Sequence, residues 1–401
     1  MQSQHKSRQW QQYYQDQSAL CPQDQLHYAH IGDLALESGS LLPQVVLGYQ
    51  TWGKLNAAAS NAVLVLHALT ADTQVANRQD GRGGWWPQVV GPGCAIDTNR
   101  FFVVCPNILG GCYGSTGPHS ELPARLGGQG QAWGSKFPLL TVRDTVHAEA
   151  ILADQLGISR WELVIGGSLG GARAMEWALT YPQRVARCAV LASGPSATAE
   201  QLAWAQAQSY AIRLDPLFAG GDYYPGPGPD QGLGLARRIA HTTYRSAPEL
   251  HFRFGRDAQE QENPLVAQQL GQRGRYRVES YLDHHAAKLV QRFDANSYLV
   301  INEILAHHDI SRGRASLVEA LGLSRCRWLI AAVDSDRLFY PSESEIMAAS
   351  LPDPIQAQLI RSASGHDGFL IEGEQVSRMV RQFLGADQQL DAQEPSIKLV
   401  S

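Results

Sequence analysis

The sequence predicts an α/β fold: a mostly parallel central sheet with helices on both faces and a helical block inserted between two parts of the sheet. Three observations predict it. Short, continuous apolar runs recur at Ala62–His67 (AVLVLH), Phe101–Cys105 (FFVVC), Leu163–Ile165, Cys188–Ala192 (CAVLA) and Trp328–Val333 (WLIAAV), as strands buried on both faces require. Helical stretches, Val142–Leu156 and Gly170–Tyr181, alternate with them. Between about 195 and 314 this alternation stops, and it resumes at Trp328.

In chain order, residues 1–25 hold nine glutamines and are expected to form a poorly ordered arm. This stretch has no apolar core of the kind a secretory signal needs, so none is expected. From His27 to Gly53 apolar and polar residues alternate, which predicts antiparallel strands with turns near Gly32 and Gly39. Residues 26–194 and 315–385 then form one discontinuous sheet domain. Residues 195–314 (ATAEQLAWAQAQSYAI, LGLARRIAHTTY and VESYLDHHAAKLVQRF, broken by GGDYYPGPGPDQG) form a helical lid over the strands' C-terminal ends. Residues 386–401 form a polar tail.

Composition narrows the function. The 401 residues carry 33 Lys and Arg against 38 Asp and Glu, a formal net charge of −5, which lacks the basic excess of a nucleic-acid binder. No apolar run reaches the length of a membrane span, and the cytoplasm is the expected location. The six cysteines, Cys21, Cys94, Cys105, Cys112, Cys188 and Cys326, form no C-x-x-C pair and are expected to be reduced thiols. His284-His285 and His307-His308 lack the spacing and acidic companion of a zinc site and are expected at the surface or in the lid; no metal is expected. Gly232-Leu233-Gly234 follows no strand, so a dinucleotide site is not expected.

The chemistry concentrates at Gly166-Gly167-Ser168-Leu169-Gly170, directly after one strand run and before a helical one. A serine on such a turn has its hydroxyl aimed outward, and flanking glycines are needed because a Cβ would collide with neighbouring backbone. The helix N-terminus behind it favours a developing oxyanion. A serine nucleophile needs a base, and in this arrangement an acid and then a histidine follow it in the chain. Asp336, in Asp334-Ser335-Asp336 at the end of WLIAAV, meets that order, with Asp334 as a rival. His366 meets it after the expected strand Gln358–Arg361, and no histidine follows it.

Further motifs carry a resemblance. Ser60–Val65 (SNAVLV) is followed by His67–Thr70 (HALT), Gly84–Trp86 (GWW) and Val90–Gly93 (VGPG). Asn107–Pro118 (NILGGCYGSTGP), Gly166–Trp177 (GGSLGGARAMEW), Ala236–Tyr244 (ARRIAHTTY), Val278–Leu282 (VESYL), Arg292–Tyr298 (RFDANSY) and Gly365–Leu370 (GHDGFL) follow in order. With these the chain resembles the homoserine O-acetyltransferases of the α/β-hydrolase fold, in their actinobacterial branch. The resemblance implies transfer of an acetyl group from acetyl-CoA to L-homoserine through an acyl-serine, in methionine biosynthesis, with no bound cofactor. It implies Ser168 as nucleophile, Asp336 as orienting acid, His366 as base, and the backbone N–H groups of Leu69 and Leu169 as oxyanion hole. It also implies Arg237 on the substrate carboxylate, Asp367 on its ammonium, and Thr70 and Tyr244 near the acyl and substrate groups. A zwitterionic substrate independently asks for one cation and one anion held apart, although Arg238 rivals Arg237 by position alone. A homodimer through the lid helices is implied as well.

Two positions depart from the family pattern. Ala71, with the long run DTQVANRQDGRGG after it, stands where the family has glycine and a short loop, and Leu169 stands where it has methionine. A succinyl-CoA donor, or serine as acceptor, therefore stays an alternative, as does an esterase or other hydrolase with the same triad.

Overall fold

The computed structural model describes residues 25–78, 81, 83–267 and 269–385. The expected N-terminal arm, the polar tail and Cys21 fall outside the described residues, save Gln25.

Eight strands form the main sheet: β1 (His27–Ala35), β2 (Leu41–Trp52), β3 (Ala62–Leu66), β4 (Phe102–Pro106), β5 (Leu163–Gly167), β6 (Arg187–Leu191), β7 (Arg327–Val333) and β8 (Gln358–Ile360). Their spatial order is β1-β2-β4-β3-β5-β6-β7-β8. β1 and β2 pair antiparallel, as do β2 and β4, and every pairing from β4 to β8 is parallel. The expected turn near Gly32 is corrected. β1 runs straight through Gly32 with a register shift on either side of it, while the chain reverses around Gly39 (φ 84°). A glycine at φ 86° accommodates the extra residue of a bulge as readily as it would a turn.

The central strands are buried on both faces, which is why their sequences run apolar without alternation. In β3, Ala62, Leu64 and Leu66 face one hydrophobic cluster, and Val63 and Val65 face the other. The first face is covered by α1 (Val142–Gln155) and α2 (Leu169–Thr180), through residues such as Val146 and Trp177. The opposite face is covered mainly by a C-terminal helix, Gly373–Leu384, through Val376, Val380 and Phe383. Each such aliphatic side chain, once buried, contributes about 1.5–3 kcal/mol. Helix α1 starts where it does because Thr141 and Asp144 form a capping box: the Asp144 N–H bonds the Thr141 hydroxyl at 3.3 Å and the Thr141 N–H bonds Asp144 Oδ2 at 2.8 Å.

Between β6 and β7 lie α3 (Ala199–Arg213), α4 (Asp230–Tyr244), α5 (Ala247–Phe254), α6 (Arg277–Arg292) and α7 (Ala295–Ala306). α4 packs between α3 and α6. The hydroxyls of Tyr223 and Tyr224 each donate to Asp294, the N-cap of α7, at 2.7 Å, and so fasten the Gly/Pro loop. Gly232 and Gly234 lie inside α4, not on a turn after a strand. His308, expected at the surface or in the lid, lies in the inserted block and is buried there. It is 3 % exposed, with Nε2 3.1 Å from the Gly194 carbonyl oxygen, because the end of α7 folds back onto the loop after β6.

Candidate active site

Ser168 stands between the last residue of β5 and the first of α2, at φ 56° and ψ −126°. A non-glycine residue held there costs about 1–3 kcal/mol, which the surrounding packing must offset. Neighbouring glycines make the turn sterically feasible. A Cβ on Gly166 would lie 2.3 Å from the Gly170 backbone, and one on Gly170 would lie 2.0 Å from the Leu66 carbonyl oxygen. The Ser168 N–H donates to the Leu191 carbonyl at 3.0 Å, tying the turn to β6. Leu169 opens α2, so its N–H has no carbonyl four residues earlier in the helix to bond.

Leu69 comes from the loop after β3. That loop is fixed by His67, whose Nδ1 lies 2.8 Å from the Ala68 carbonyl while its Nε2 accepts from the Ile108 N–H at 3.1 Å. The ring must then be neutral with its proton on Nδ1. Burial, with the Arg173 charge nearby, agrees by pushing its pKa down to about 3. Arg292, the last residue of α6, reaches across to the same loop and donates to the Thr70 carbonyl at 2.8 Å and to the Tyr113 hydroxyl at 2.7 Å.

His366 follows β8. Its Nδ1 lies 2.7 Å from Oδ2 of Asp336, whose other oxygen accepts the N–H groups of Leu338 (2.8 Å) and Phe339 (3.0 Å). Both side chains are buried. Burial alone would lower the histidine's pKa, but the Asp336 charge and hydrogen bond, aided by Asp367 and Glu343, raise it above the ordinary value. Asp334, the rival acid, accepts the Ser362 N–H at 3.0 Å and faces Arg361, bracing the loop between β8 and His366. Gly365 (φ 67°) touches the inserted helices, since a Cβ there would lie 2.6 Å from both the Tyr244 carbonyl and the Ser246 nitrogen. The Ser246 hydroxyl donates back to the Ala363 carbonyl.

One cavity of about 410 Å³ collects Leu69, Thr70, Ser168, Arg237, Tyr244, His366 and Asp367 from the expected set. Leu169 and Asp336 lie behind this wall, both buried. Arg237 donates to the Thr70 hydroxyl at 3.2 Å and sits over the Tyr244 ring, 5.6 Å from its centroid. Arg238 points the other way and pairs with Asp283 at 2.7 Å, which separates the two candidate arginines. Asp367 is paired with Arg245 at 3.1 Å. Its carboxyl is shifted up by burial, against the opposing pull of Arg245 and His366.

Sequence reasoning missed several residues of this cavity: Asp72, His241, Arg245, His285, Lys288 and Arg292. Their signal lay in helical spacing. Arg237, His241 and Tyr244 recur at i, i+4, i+7 on α4, and His285, Lys288 and Arg292 at i, i+3, i+7 on α6. His285 thus belongs to the cavity wall. Among the described residues, no group of three or more His, Cys, Asp or Glu is placed to hold a metal ion. The five described cysteines are free thiols, and no helix there is long and apolar enough to cross a membrane.

Comparison with known proteins agrees with this fold. A family model of the alpha/beta hydrolase fold matches residues 61–372. The chain is 51 % identical to a homoserine O-acetyltransferase of Thermobifida fusca, over 88 % of this chain and 91 % of the relative. It is 47 % identical to one of Leifsonia xyli, over 90 % and 89 % of the two chains. Among solved structures, the homoserine O-acetyltransferase of Bacillus anthracis superposes with a TM-score of 0.82 at 28 % identity, covering 90 % of this chain and 97 % of that one.

Proposed function

The chain belongs to the alpha/beta hydrolase fold family and, within it, to the homoserine O-acetyltransferases, and from that membership we propose how its residues move an acetyl group from acetyl-CoA to the hydroxyl of L-homoserine. It is an acyltransferase of methionine biosynthesis. The observation that carries the residue assignment is the 2.7 Å bond from Asp336 to His366, with His366 and the elbow serine lining one cavity.

In the first half-reaction Ser168 Oγ attacks the thioester carbonyl while His366 Nε2 takes its proton. Nε2 is the nitrogen left for this task because Nδ1 is held by Asp336. The oxyanion is received by the N–H groups of Leu69 and Leu169, a kind of interaction worth about 3–4 kcal/mol for one donor. Collapse breaks the C–S bond, the thiol of CoA leaves with the proton from His366, and Ser168 is acetylated. In the second half-reaction His366 takes the homoserine hydroxyl proton as its oxygen attacks the acetyl carbon. The tetrahedral adduct expels Ser168, which recovers the proton. Every proton passes through His366, so the cycle calls for no bound cofactor.

Arg237 holds the acceptor's carboxylate and Asp367 its ammonium, with Thr70 and Tyr244 as the surrounding wall. We place the enzyme in the cytoplasm as a homodimer through the inserted helices. Leu202, Tyr210, Leu214 and Leu235, on α3, α4 and the turn between them, are all more than two-fifths exposed and support that contact.

The test is thiol release measured for acetyl- and succinyl-CoA against homoserine, serine and water. Sustained release only with acetyl-CoA plus homoserine is expected. Equal release with water would make the protein a hydrolase, and a preference for succinyl-CoA or serine would reassign the donor or acceptor.

A further inference from the structure

Three residues that line the cavity carry a buried nitrogen with no hydrogen-bond partner: Nε of Arg237, Nε2 of His241 and Nε of Arg245. Arg237 and His241 are one helical turn apart on the same face of α4. A buried polar atom without a partner costs free energy, and at a ligand site it marks a place where the ligand supplies the partner.

The protonation of His241 follows from its neighbours. Its Nδ1 is 3.2 Å from the Tyr281 hydroxyl, and that hydroxyl also lies against the Arg245 guanidinium. A tyrosine hydroxyl can donate this bond, and where it does, His241 Nδ1 is the acceptor. With Nδ1 an acceptor, the ring's proton sits on Nε2, the nitrogen without a partner. The ring stacks on His285 with 4.0 Å between centroids. Burial and the charges of Arg237 and Arg245 keep it neutral, with a pKa down to about 2.

We propose that His241 is a second binding residue for the acceptor, its Nε2–H donating to one carboxylate oxygen of the α-amino acid while Arg237 holds the other. Tyr281 is then a positioning residue that sets the tautomer. A neutral donor beside a cation suits a single negative charge, because it adds a directed hydrogen bond without adding a second charge to a cavity that already holds four cationic side chains. This inference rests on the acyl transfer to an amino acid proposed above.

The experiment compares wild type with His241→Phe and Tyr281→Phe on two acceptors, L-homoserine and 3-amino-1-propanol, which lacks only the carboxylate. Rates are normalised to the burst of CoA released by acetyl-CoA alone, which counts folded, acylating enzyme. For His241→Phe the KM for homoserine should rise roughly ten- to a hundredfold, the scale of one hydrogen bond to a charged group. The preference for homoserine over 3-amino-1-propanol should shrink by the same factor. Tyr281→Phe should show the same pattern more weakly, and it decides the matter if His241→Phe gives no burst. Equal losses on both acceptors, or an unchanged homoserine KM, would overturn the role of His241 alone. A wild type that acylates neither acceptor would overturn the transferase reading, and this inference with it.

Discussion

Oδ2 of Asp336 lies 2.7 Å from Nδ1 of His366, although the two residues follow different strands and are separated by 30 positions. Replacing Asp336 with Asn keeps the two backbone N–H contacts but presents either a neutral oxygen or a competing donor to Nδ1. Turnover of Asp336→Asn should fall about 10⁴-fold, the scale for loss of the orienting acid. Steady-state kinetics with an unchanged far-ultraviolet dichroism spectrum would establish it. A variant within tenfold of wild type would remove Asp336 from its role.

The pH profile follows from His366. The base works when neutral and its pKa is raised, so kcat/KM for acetyl-CoA should climb with a midpoint above the ordinary value of 6.5. Stability moves the other way. The raised pKa contributes stability in full below 6.5, and that contribution fades as pH rises through the folded-state value.

Glu343 offers a handle on that midpoint. Burial raises its carboxyl to about 7, and its charge helps raise His366. Glu343→Gln should therefore shift the acid limb of kcat/KM to lower pH. The native state prefers the neutral acid, so wild type loses stability as pH rises from 4.5 through about 7. The substitution removes that loss. Denaturant melts at pH 5 and pH 8 would read it as a gain confined to the higher pH.

Arg237→Ala should raise the KM for homoserine by roughly ten- to a hundredfold and change the KM for acetyl-CoA far less. Arg237→Lys should recover little, since an ammonium cannot reproduce the planar fork. Initial rates over a grid of both substrates would separate the two constants. A larger effect on acetyl-CoA would move Arg237 to the donor.

Below the site, Arg173 and Glu149 form a fully buried pair, with Arg173 Nε 2.9 Å from Glu149 Oε1 and Trp177 Nε1 2.7 Å from Oε2. Removing one partner strands a charge, so Arg173→Met should cost about 3–5 kcal/mol. Adding Glu149→Leu should recover most of it. Chemical denaturation of both variants measures this, and an additive double mutant would refute the coupling.

The sheet was legible because strands buried on two faces must be apolar throughout, and the runs at 62–67 and 328–333 coincide with β3 and β7 to within a residue. The elbow was legible because Gly166 and Gly170 answer to backbone at 2.3 and 2.0 Å, which local sequence records directly. Gly32 misled because a bulge and a turn both ask for a positive φ. Sequence order could not choose between Asp334 and Asp336, since both end the same strand and only the loop from 361 to 367 decides which one meets the histidine. The wall contributed by α4 and α6 stayed hidden because charged residues at helical spacing usually face solvent. Here α4 lies between α3 and α6, and that face is turned onto the strand ends.

The contact at Gly365 bears on how the enzyme handles traffic. With no clearance for even one methyl group between it and the end of α4, the helical cover has no independent hinge at that end. Any swing there would drag the segment carrying His366 and dismantle the proton relay. Donor and acceptor are therefore expected to enter through a standing aperture rather than one opened by a swing at this end of the cover.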